Sequence, residues 1–515
     1  MPPDILLHNQ PRSFNTVALE ESNFLLSLQH QDAAESLRHS LWSQREPIAA
    51  LVRHHLRLQE DDLCTVLPVD TWIQGGFNLC IIVMVISSDL TRELVFRCPM
   101  PHKLAEQQYP GTIDEKVGCE VATYVWMQEY SNKIRIPTLY AFGFGDGNHF
   151  THVEQRPIYT RICHTFRQWM YRLLRYPLLS NYTRNTSAPS VDTPYVLLEH
   201  IGPDTGQMLS NTWSQYKDDT DRRNRLFQGI SRVMLSLARL PQQHIGSFRF
   251  NASNGTITLS NRPLTCTMMI AENSGTPRTV EPHQIYQGTD TFASDMLKMH
   301  DNYLLHDPHA VRDEDDARER MTIRTLLRAV MHSFVLPDRR NGPFLLQLTD
   351  LHPSNIFVDD TWNVTCLIDL EWICALPVEM LSVPYWLTNC SIDALIDEEY
   401  DRFDEARQAF LTIMDEESKS IPMEHDVHIT SSMRDVWDSK GVWFWTCVRS
   451  LNAWVFVFED HILPIFSANK TLVVDLNEVS SFWQQGVESI VEAKVDDEVK
   501  YQADLRSLFD STPTP

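Results

Sequence analysis

Asp350-Leu351-His352-Pro353-Ser354-Asn355 is the segment from which the fold can be predicted, together with the residues as far as Asp369. A short apolar run, 356–358, leads into a polar, turn-like segment, 359–363, and a second apolar run, 364–368, ends at Asp369. Short apolar runs on either side of a polar turn predict a β-hairpin. That hairpin would place Asn355 and Asp369 side by side at the mouth of one sheet.

The polar side chains around this hairpin have the character of a phosphoryl-transfer centre. The spacing Asp-x-x-x-x-Asn matches the catalytic loop of kinases, in which the Asp accepts a hydroxyl proton and the Asn holds a magnesium ion. Magnesium takes oxygen ligands, so Asn355 and Asp369 are the candidate metal ligands and Asp350 is the candidate catalytic base. Taken alone, a loop of Asp, Pro and Asn is more often a simple turn.

The segments 348–356 and 367–372 resemble the aminoglycoside phosphotransferase and choline-kinase-like superfamily, and more narrowly its fungal phosphotransferase-family branch. The resemblance covers roughly residues 45 to 390. It implies an α+β, two-lobed protein-kinase-like fold with a β-rich N-lobe and a mostly helical C-lobe. Proteins of this kind phosphorylate small molecules from ATP with Mg²⁺, so the resemblance implies both cofactors.

Gly75 and Gly76 interrupt two apolar runs and predict a hairpin turn. By the resemblance, this turn would lie over the ATP phosphates. The sequence is neither a GxGxxG nor a Walker A motif, and most Gly-Gly pairs are plain hairpin turns.

The next predicted strand, 93–99, carries Arg97 at the position of the family's phosphate-binding lysine. Arginine keeps the charge but is a planar fork, so the phosphate geometry would differ, and the alternative is a solvent-facing strand arginine. A helix is predicted over 114–127, where acidic residues stand at the start and apolar residues recur at helical spacing. By the resemblance, Glu120 of this helix would orient the cation at position 97, with Glu115 as its rival.

Glu199 and Ile201 belong to a segment, 195–202, that resembles the strand and hinge that bind adenine in this superfamily. Recognition at such a hinge uses backbone groups and apolar walls. A buried strand followed by a turn is an equally good interpretation of the same residues.

The composition sets outer limits on function. With 515 residues, 43% hydrophobic and 10% aromatic, the chain is globular and longer than one average domain. The net charge of −24 argues against generic nucleic-acid binding, because phosphate contacts need clustered Lys and Arg. An acidic cleft would favour a cationic acceptor, as in aminoglycoside and choline kinases.

The cysteines are scattered without a Cys-x-x-Cys pair, and the first residues lack the basic start and long apolar core of a secretory signal. Both observations predict reduced thiols and a cytoplasmic location. The most apolar stretch, 441–466, carries charged residues such as Arg449 and Glu459. It therefore predicts a buried C-lobe helix and no transmembrane segment.

Periodicity and composition divide the chain into an N-terminal extension over 1–44, an N-lobe over 45–202, a C-lobe over 203–510 and a disordered tail over 511–515. The N-lobe contains an insertion, about 155–191, that has no acidic residue. Its arginines are Arg156, Arg161, Arg167, Arg172, Arg175 and Arg184.

Residues 160–176 of this insertion have a helical period with apolar residues on one side. A basic amphipathic helix in an acidic chain is compatible with several partners: a membrane surface, a calmodulin-like protein, the protein's own acidic face, or the nucleotide and substrate beneath a lid.

Two functional classes remain open from the sequence. The first is an ATP- and Mg-dependent phosphotransferase that acts on a hydroxyl of a small molecule, since Asp350, Asn355 and Asp369 are all present. The second is a pseudokinase, an impaired relative that binds nucleotide or serves as an interaction module. Two departures favour it: Leu348 stands where the family commonly has His, and Arg97 replaces the lysine.

Overall fold

The computed structural model describes residues 4–8, 10–88, 91–131, 133–186, 189, 191–467, 472 and 474–511. Most strands lie in its N-terminal part and most helices in its C-terminal part. The predicted α+β class, with a β-rich N-lobe and a mostly helical C-lobe, is confirmed.

The strands are β1 (Ile5–Leu7), β2 (Gln10–Arg12), β3 (Leu63–Val66), β4 (Ile73–Gln74), β5 (Asn78–Ile86), β6 (Thr91–Pro99), β7 (Leu139–Gly143), β8 (His149–His152), β9 (Tyr182–Arg184), β10 (Tyr195–Glu199), β11 (Gln207–Met208), β12 (Ser247–Asn251), β13 (Thr256–Asn261), β14 (Leu345–Leu348), β15 (Ile356–Val358), β16 (Val364–Leu367) and β17 (Ile373–Leu376). The helices are α1 (Phe14–Val17), α2 (Phe24–Ser43), α3 (Arg45–Leu56), α4 (Thr112–Tyr130), α5 (Ile158–Leu173), α6 (Leu209–Tyr216), α7 (Thr220–Ala238), α8 (Cys266–Asn273), α9 (Thr289–His306), α10 (Glu314–Val330), α11 (Asp397–Ser418), α12 (Ile429–Asp438), α13 (Gly441–Arg449), α14 (Trp454–Val457), α15 (Leu463–Phe466), α16 (Leu476–Ser480) and α17 (Val487–Ser511).

The N-lobe is built on an eight-stranded antiparallel sheet with the order β3-β5-β6-β10-β7-β8-β9, and β4 pairs with β5. The central strands β5 and β6 are rich in β-branched and aromatic residues, which favour a buried, pleated surface. Their register places Cys80 opposite Arg97. Arg97 therefore stands in the middle of the sheet, where the side chains of α4 can reach it.

The hairpin predicted over 356–368 is present in the C-lobe as β15 and β16. Ile356 pairs with Leu367, and the backbone N–H of Ile368 donates to the carbonyl of Asn355 at 3.0 Å. The second strand ends at Leu367, one residue earlier than the sequence predicts. Asn355 and Asp369 consequently lie at the same end of the hairpin.

The connection between the lobes runs over 200–206 into β11, which pairs with β15 of the hairpin. Gly206 in this connector has a φ of +134°, and a Cβ built on it would lie 2.3 Å from the carbonyl oxygen of Val358. A side chain does not fit there, so glycine is required for β11 to reach the catalytic hairpin.

The prediction of one continuous buried helix over 441–466 is wrong, because the helix is interrupted after Arg449. Helix α13 ends at Arg449, and Ser450 adopts an extended conformation. The Ser450 hydroxyl accepts a hydrogen bond from the Ala453 N–H at 3.0 Å, which starts the next helical segment in a new direction. Within the described part of the chain, no helix is both long and apolar enough to span a membrane.

The N-terminal and C-terminal segments pack against each other in a small separate core. Phe24 of α2 and Phe509 of α17 are buried there, with ring centroids 6.0 Å apart. The Tyr501 hydroxyl accepts a hydrogen bond from the Phe24 N–H at 3.0 Å. Helix α17 includes Ser511, and the rest of the predicted disordered tail, 512–515, lies outside the described residues.

Candidate active site

The loop after β14 carries Asp350 and Asn355 and is fixed by its own hydrogen bonds. The Asn355 Nδ2 donates to the Asp350 carbonyl at 3.0 Å, which closes the loop. The Thr349 hydroxyl donates to the carbonyl of Trp372 at 2.7 Å and holds the loop against the neighbouring segment. Because the amide nitrogen of Asn355 is used inside the loop, its Oδ1 remains available as an oxygen ligand.

Asp369 has a φ of +60°, in the left-handed region that few residues other than glycine occupy. Asp tolerates this conformation better than most side chains do. The preceding residue, Ile368, is held by its hydrogen bond to Asn355. The strained backbone turns the Asp369 carboxylate away from the strand direction and toward the N-lobe sheet, where it meets Arg97.

Arg97 lies at the centre of a cluster of carboxylates and is almost fully buried. Its Nη1 contacts Glu120 Oε1 at 2.6 Å. Its Nη2 contacts Asp369 Oδ1 and lies 3.0 Å from Glu371 Oε2. The interpretation of Arg97 as a solvent-facing strand arginine is therefore wrong, since its guanidinium is buried and contacts three carboxylates.

Lys116 belongs to the same cluster and was not recognised from the sequence. It is fully buried, contacts Glu371 Oε2, and lies 3.6 Å from Glu120 Oε2. Its ammonium also donates to Asn78 Oδ1 at 2.8 Å, and Asn78 Nδ2 donates to Glu371 at 2.8 Å. Lys116 and Arg97 thus hold Glu371 between them.

The charges in the cluster shift its pKa values in opposite directions. Burial, together with the charge of Asp369, raises the pKa of Glu371 to about 7, although Lys116 and Arg97 act to lower it. Burial also favours a raised pKa at Asp369, but the contact with Arg97 outweighs it and holds that pKa below its usual range. Burial raises the pKa of Asp350, to which Asp369 adds. A raised pKa makes Asp350 a better proton acceptor than an exposed aspartate.

Glu120, and not its rival Glu115, faces Arg97. Glu115 forms a separate buried ion pair with Arg262, whose Nε lies 2.9 Å from Glu115 Oε1. Arg262 also contacts Glu272. This second network joins helix α4 to the C-lobe segment around β13 and leaves Glu120 to pair with the strand arginine.

The Gly75-Gly76 turn is held against the segment after Asp369 by the side chain of the next residue, Phe77. The Gly75 N–H donates to the Asn78 carbonyl at 2.9 Å and closes the turn. The next side chain, Phe77, packs edge-on against the ring of Trp372 at 5.0 Å between centroids. A Cβ at Gly76 would meet no atom within 4 Å, so this part of the turn faces open space.

Glu199 and Ile201 lie apart from the cluster, at the start of the inter-lobe connector. The Glu199 carboxylate accepts from Arg135 and from the backbone and hydroxyl of Thr138, each at 3.0 Å. Ile201 is half-buried. Since the carboxylate of Glu199 already has these partners, nucleotide recognition at this segment would use its backbone groups.

A cavity of about 270 Å³ lies beside the catalytic loop, and Thr349 and Leu351, which flank Asp350, form part of its wall. Much of the remaining wall is apolar: Leu348, Met380, Val383, Trp386, Trp437 and Trp443. Among the described residues that line it, none is Asp or Glu. The expected cationic acceptor stays a prediction, and it would find no carboxylate in this wall.

Asn355 and Asp369 fit a magnesium ion by the chemistry of their donor atoms. Magnesium is bound by one or two protein oxygens together with substrate phosphates and water. Asn355 Oδ1 is free of hydrogen bonds from the described residues, and Asp369 uses only Oδ1 in its contact with Arg97. The described residues contain no group of three or more His, Cys, Asp or Glu side chains that could form a closed metal site.

No protein-family model matches the sequence, and no curated protein sequence matches it. Solved structures are similar in fold. A candidate aminoglycoside phosphotransferase from Ralstonia eutropha JMP134 is 10% identical, with a TM-score of 0.38, over 88% of this chain and 98% of that one. A Plasmodium vivax ethanolamine kinase is 11% identical, with a TM-score of 0.36, over 85% of this chain and 83% of that one.

The fungal branch expected from the sequence is not confirmed by these structures. At these identities the likeness is one of fold alone.

Proposed function

We propose that the protein is an ATP- and Mg²⁺-dependent phosphotransferase that acts on a hydroxyl group of a small molecule. One observation carries the proposal: the β15–β16 hairpin and its loop bring Asp350, Asn355 and Asp369 to one end of the hairpin, beside a cavity. Catalysis of phosphoryl transfer is mostly positioning and charge neutralisation, and this arrangement provides both.

Each residue has a separate role in the proposal. Asp350 accepts the proton of the acceptor hydroxyl, which its raised pKa favours. Asn355 and Asp369 would hold the metal ion, which when bound supplies positive charge to the transferring phosphoryl group. Arg97 and Glu120 orient Asp369 through the buried ion pairs.

The nucleotide-facing parts of the proposal are the Gly75-Gly76 turn and the connector that contains Ile201. The turn lies against Trp372, next to the metal-binding carboxylate, and leaves Gly76 open. The ten cysteines are free, which fits the reducing conditions of the cytoplasm, and this is the location we propose.

The first experiment measures melting temperature with ATP and with Mg²⁺, alone and together. Ligand at 100 times its Kd stabilises a protein by about 2.7 kcal/mol, so a clear upward shift should appear only with both. The shift should disappear in Asp369→Ala, which removes a metal ligand. Asp360→Ala is the matched control, because Asp360 is exposed in the turn of the same hairpin.

The second experiment tests turnover. Asp350→Asn removes the base and leaves the metal ligands, so the rate should fall about 10²- to 10⁴-fold while the ATP-dependent shift persists. Full activity in Asp350→Asn would contradict the assignment of the loop. Absence of any shift with nucleotide would favour the alternative, a catalytically impaired pseudokinase that serves as an interaction module.

A further inference from the structure

Arg449 is the cation of the cavity beside Asp350 that has no carboxylate partner. Arg407, which also lines the cavity, pairs with Asp404 at 2.7 Å and lies over the ring of Trp437. Arg449 makes only long contacts, at 3.5 Å to the Met380 carbonyl and 3.4 Å to the Ser382 hydroxyl. No carboxylate of the described residues lies within ion-pair distance of Arg449, and Tyr385 is the one ionisable neighbour that influences its pKa.

Arg449 is half-buried, at a position where its charge is less well solvated than at the surface. Burial lowers the pKa of Arg449, because the surroundings disfavour its charge. A charge that is partly withdrawn from water is normally offset by an opposite charge, and an anion bound beside Arg449 would supply one. The hydrogen-bond donors of Arg449 therefore mark a place where an anionic group would be stabilised.

The position of Arg449 relative to the catalytic loop can be read from Tyr385. Tyr385 lines the same cavity, and its phenol interacts electrostatically with both Arg449 and Asp350. Thr349 and Leu351 on either side of Asp350 share the wall with Arg449. Arg449 and both sequence neighbours of Asp350 therefore line one and the same cavity.

We infer that the acceptor is an alcohol that carries an oxyanion, a carboxylate or a phosphate, and that Arg449 binds this group while the hydroxyl faces Asp350. The role of the hydroxyl rests on the proposed phosphotransferase function, whereas the anion site at Arg449 stands without it. The inference opposes the expectation of a cationic acceptor. The apolar walls indicate that the body of the acceptor is aromatic or aliphatic.

A matched set of aromatic alcohols tests the anion site by calorimetric titration without ATP. The probes are 4-(hydroxymethyl)benzoate, 4-(hydroxymethyl)phenyl phosphate, the neutral 4-(hydroxymethyl)benzamide and the cationic 4-(hydroxymethyl)benzylamine. We expect the carboxylate, the phosphate or both to bind, and the amide and the amine to bind at least about tenfold more weakly. Comparison of the affinities of the carboxylate and phosphate probes shows which of the two oxyanions the site binds.

Arg449→Gln should weaken binding of the anionic probe by roughly 10- to 100-fold. Because the arginine is unpaired, the same variant should melt at the same or a higher temperature, which separates a lost site from a lost fold. Arg402→Gln, an exposed arginine of α11, is the control and should bind as the wild type does.

Preference for the amine, equal binding of all probes, binding of none of them, or unchanged binding in Arg449→Gln would each overturn the inference. Failure of the phosphotransferase proposal has a different signature. In that case the anion would still bind and Arg449→Gln would still lose it, while Mg-ATP would give no shift in melting temperature.

Helix α5 independently points to an interaction surface, because it is amphipathic in the opposite sense to an ordinary surface helix. Its apolar residues face solvent and are exposed by 73% at Ile158, 66% at Ile162, 60% at Phe166, 57% at Trp169 and 64% at Leu173. A surface helix normally turns this face to the core.

The polar side of α5 contacts the protein instead. Gln168 donates to Asn181 Oδ1 at 2.6 Å, Arg172 pairs with Glu129 at 2.8 Å, and His164 is buried. Among these contacts, only the ion pair of Arg172 with Glu129 joins the helix to an acidic residue of the protein itself. The expectation that the basic helix covers the protein's own acidic face therefore holds for this one arginine. The apolar face is left without cover from the described residues.

The arginines flank this apolar face. By helical periodicity, Arg161 and Arg172 lie on one side of it and Arg167 lies on the other. The protein as a whole has a net charge of −24, yet the insertion carries no acidic residue. Apolar and aromatic residues between flanking arginines are the pattern of helices that lie in the surface of an anionic membrane.

We propose that α5 docks the protein on an anionic membrane surface, with its apolar face in the lipid and with Arg161 and Arg167 at the headgroups. Vesicles of phosphatidylcholine with phosphatidylserine should sediment the protein, and vesicles of phosphatidylcholine alone should sediment less. The double variant Phe166→Ser/Trp169→Ser should reduce vesicle binding more than about tenfold. Phe482→Ser is the control, because Phe482 is 75% exposed but lies elsewhere.

Absence of binding to the anionic vesicles, or binding unchanged in the double variant, would overturn the membrane proposal. Light scattering could instead show a dimer that dissociates in the Phe166→Ser/Trp169→Ser variant. That result would also overturn the membrane proposal and would assign the apolar face to a second copy of the chain. The double variant Arg161→Gln/Arg167→Gln tests the contact of the arginines with the lipid headgroups. If its vesicle binding had the same affinity and the same salt dependence as that of the wild type, this contact would be contradicted.

Discussion

Arg97 holds more carboxylates together than a lysine at the same position could. A guanidinium is a planar fork with several donors, whereas an ammonium is a single point of charge. The Nη1 of Arg97 contacts Glu120, and its Nη2 contacts both Asp369 and Glu371. The arginine therefore couples helix α4, strand β6 and the segment around Asp369 through one side chain.

Arg97→Met should destabilise the protein by about 3–5 kcal/mol, because it leaves buried carboxylates without their shared partner. Arg97→Lys should lose less, since it keeps the charge but not the fork. Chemical denaturation measures both free energies of unfolding. Arg92→Met, on the same strand but half-buried over the ring of Tyr140, should change little. Equal stabilities of Arg97→Met and the wild type would show that the cluster does not need this cation.

Glu371 makes the stability of the protein depend on pH in a defined window. Its pKa is raised from 4.5 to about 7 by burial and by Asp369, so between these values the unfolded chain loses a proton that the folded chain keeps. Stability attributable to this group should fall as the pH rises through the window, by up to about 1.4 kcal/mol per pH unit. Below the window and above it, the contribution should be constant.

Glu371→Gln mimics the neutral form and should flatten this part of the pH profile of unfolding free energy. Glu398→Gln, an exposed position on α11, should keep the slope of the wild type. A Glu371→Gln profile that falls as steeply as the wild-type profile would assign the titration to another group.

The sequence predicted several members of the cluster and missed others for a physical reason. Asp369, Arg97 and Glu120 stood at motif positions, but Lys116 and Glu371 were passed over because the choice of partners depends on tertiary distances. Local signals existed. Lys116 is four residues before Glu120 on one helix face, and Glu371 comes two residues after Asp369.

At the scale of elements, the catalytic hairpin could be predicted and the orientation of α5 could not. The hairpin is specified locally, by apolar runs and a polar turn. The period of α5 was also correct, but periodicity identifies an apolar face without identifying its neighbours in the fold. The break at Ser450 was missed because apolar composition continues across it.

Gly206→Ala should destabilise the protein by about 1–3 kcal/mol, since the new Cβ would clash with the Val358 carbonyl and the φ of +134° is strained for alanine. Gly202→Ala lies in the same connector, where a Cβ meets nothing within 4 Å, and should be close to neutral. Midpoints of urea denaturation compare the two. A Gly206→Ala protein as stable as Gly202→Ala would indicate that β11 can detach from the hairpin without loss.

At the scale of the whole molecule, the two ends of the chain depend on each other. Phe509 is fully buried, edge-on to Phe14 at 5.7 Å and stacked near Phe24. Long-range contacts of this kind are not readable from local sequence, which is why the sequence indicates only an extension over 1–44.

Phe509→Ala should therefore cost about 3 kcal/mol through the cavity that it leaves between α17 and α2. Calorimetric unfolding would detect the loss, and Phe482→Ala, at an exposed site, should stay within about 0.5 kcal/mol of the wild type. An unaltered melting temperature in Phe509→Ala would show that the terminal segments associate without stabilising the fold.

This closure of the ends has a consequence for biosynthesis. The apolar side of α2, with Phe24, Leu25 and Leu28, leaves the ribosome more than 400 residues before α17, the helix that covers it. At about 5–20 residues per second, those side chains wait roughly 25 to 100 s for their partner. During that interval the apolar side of α2 is exposed on the nascent chain. The yield of folded protein in a cell should therefore depend on chaperones that bind α2 as it emerges.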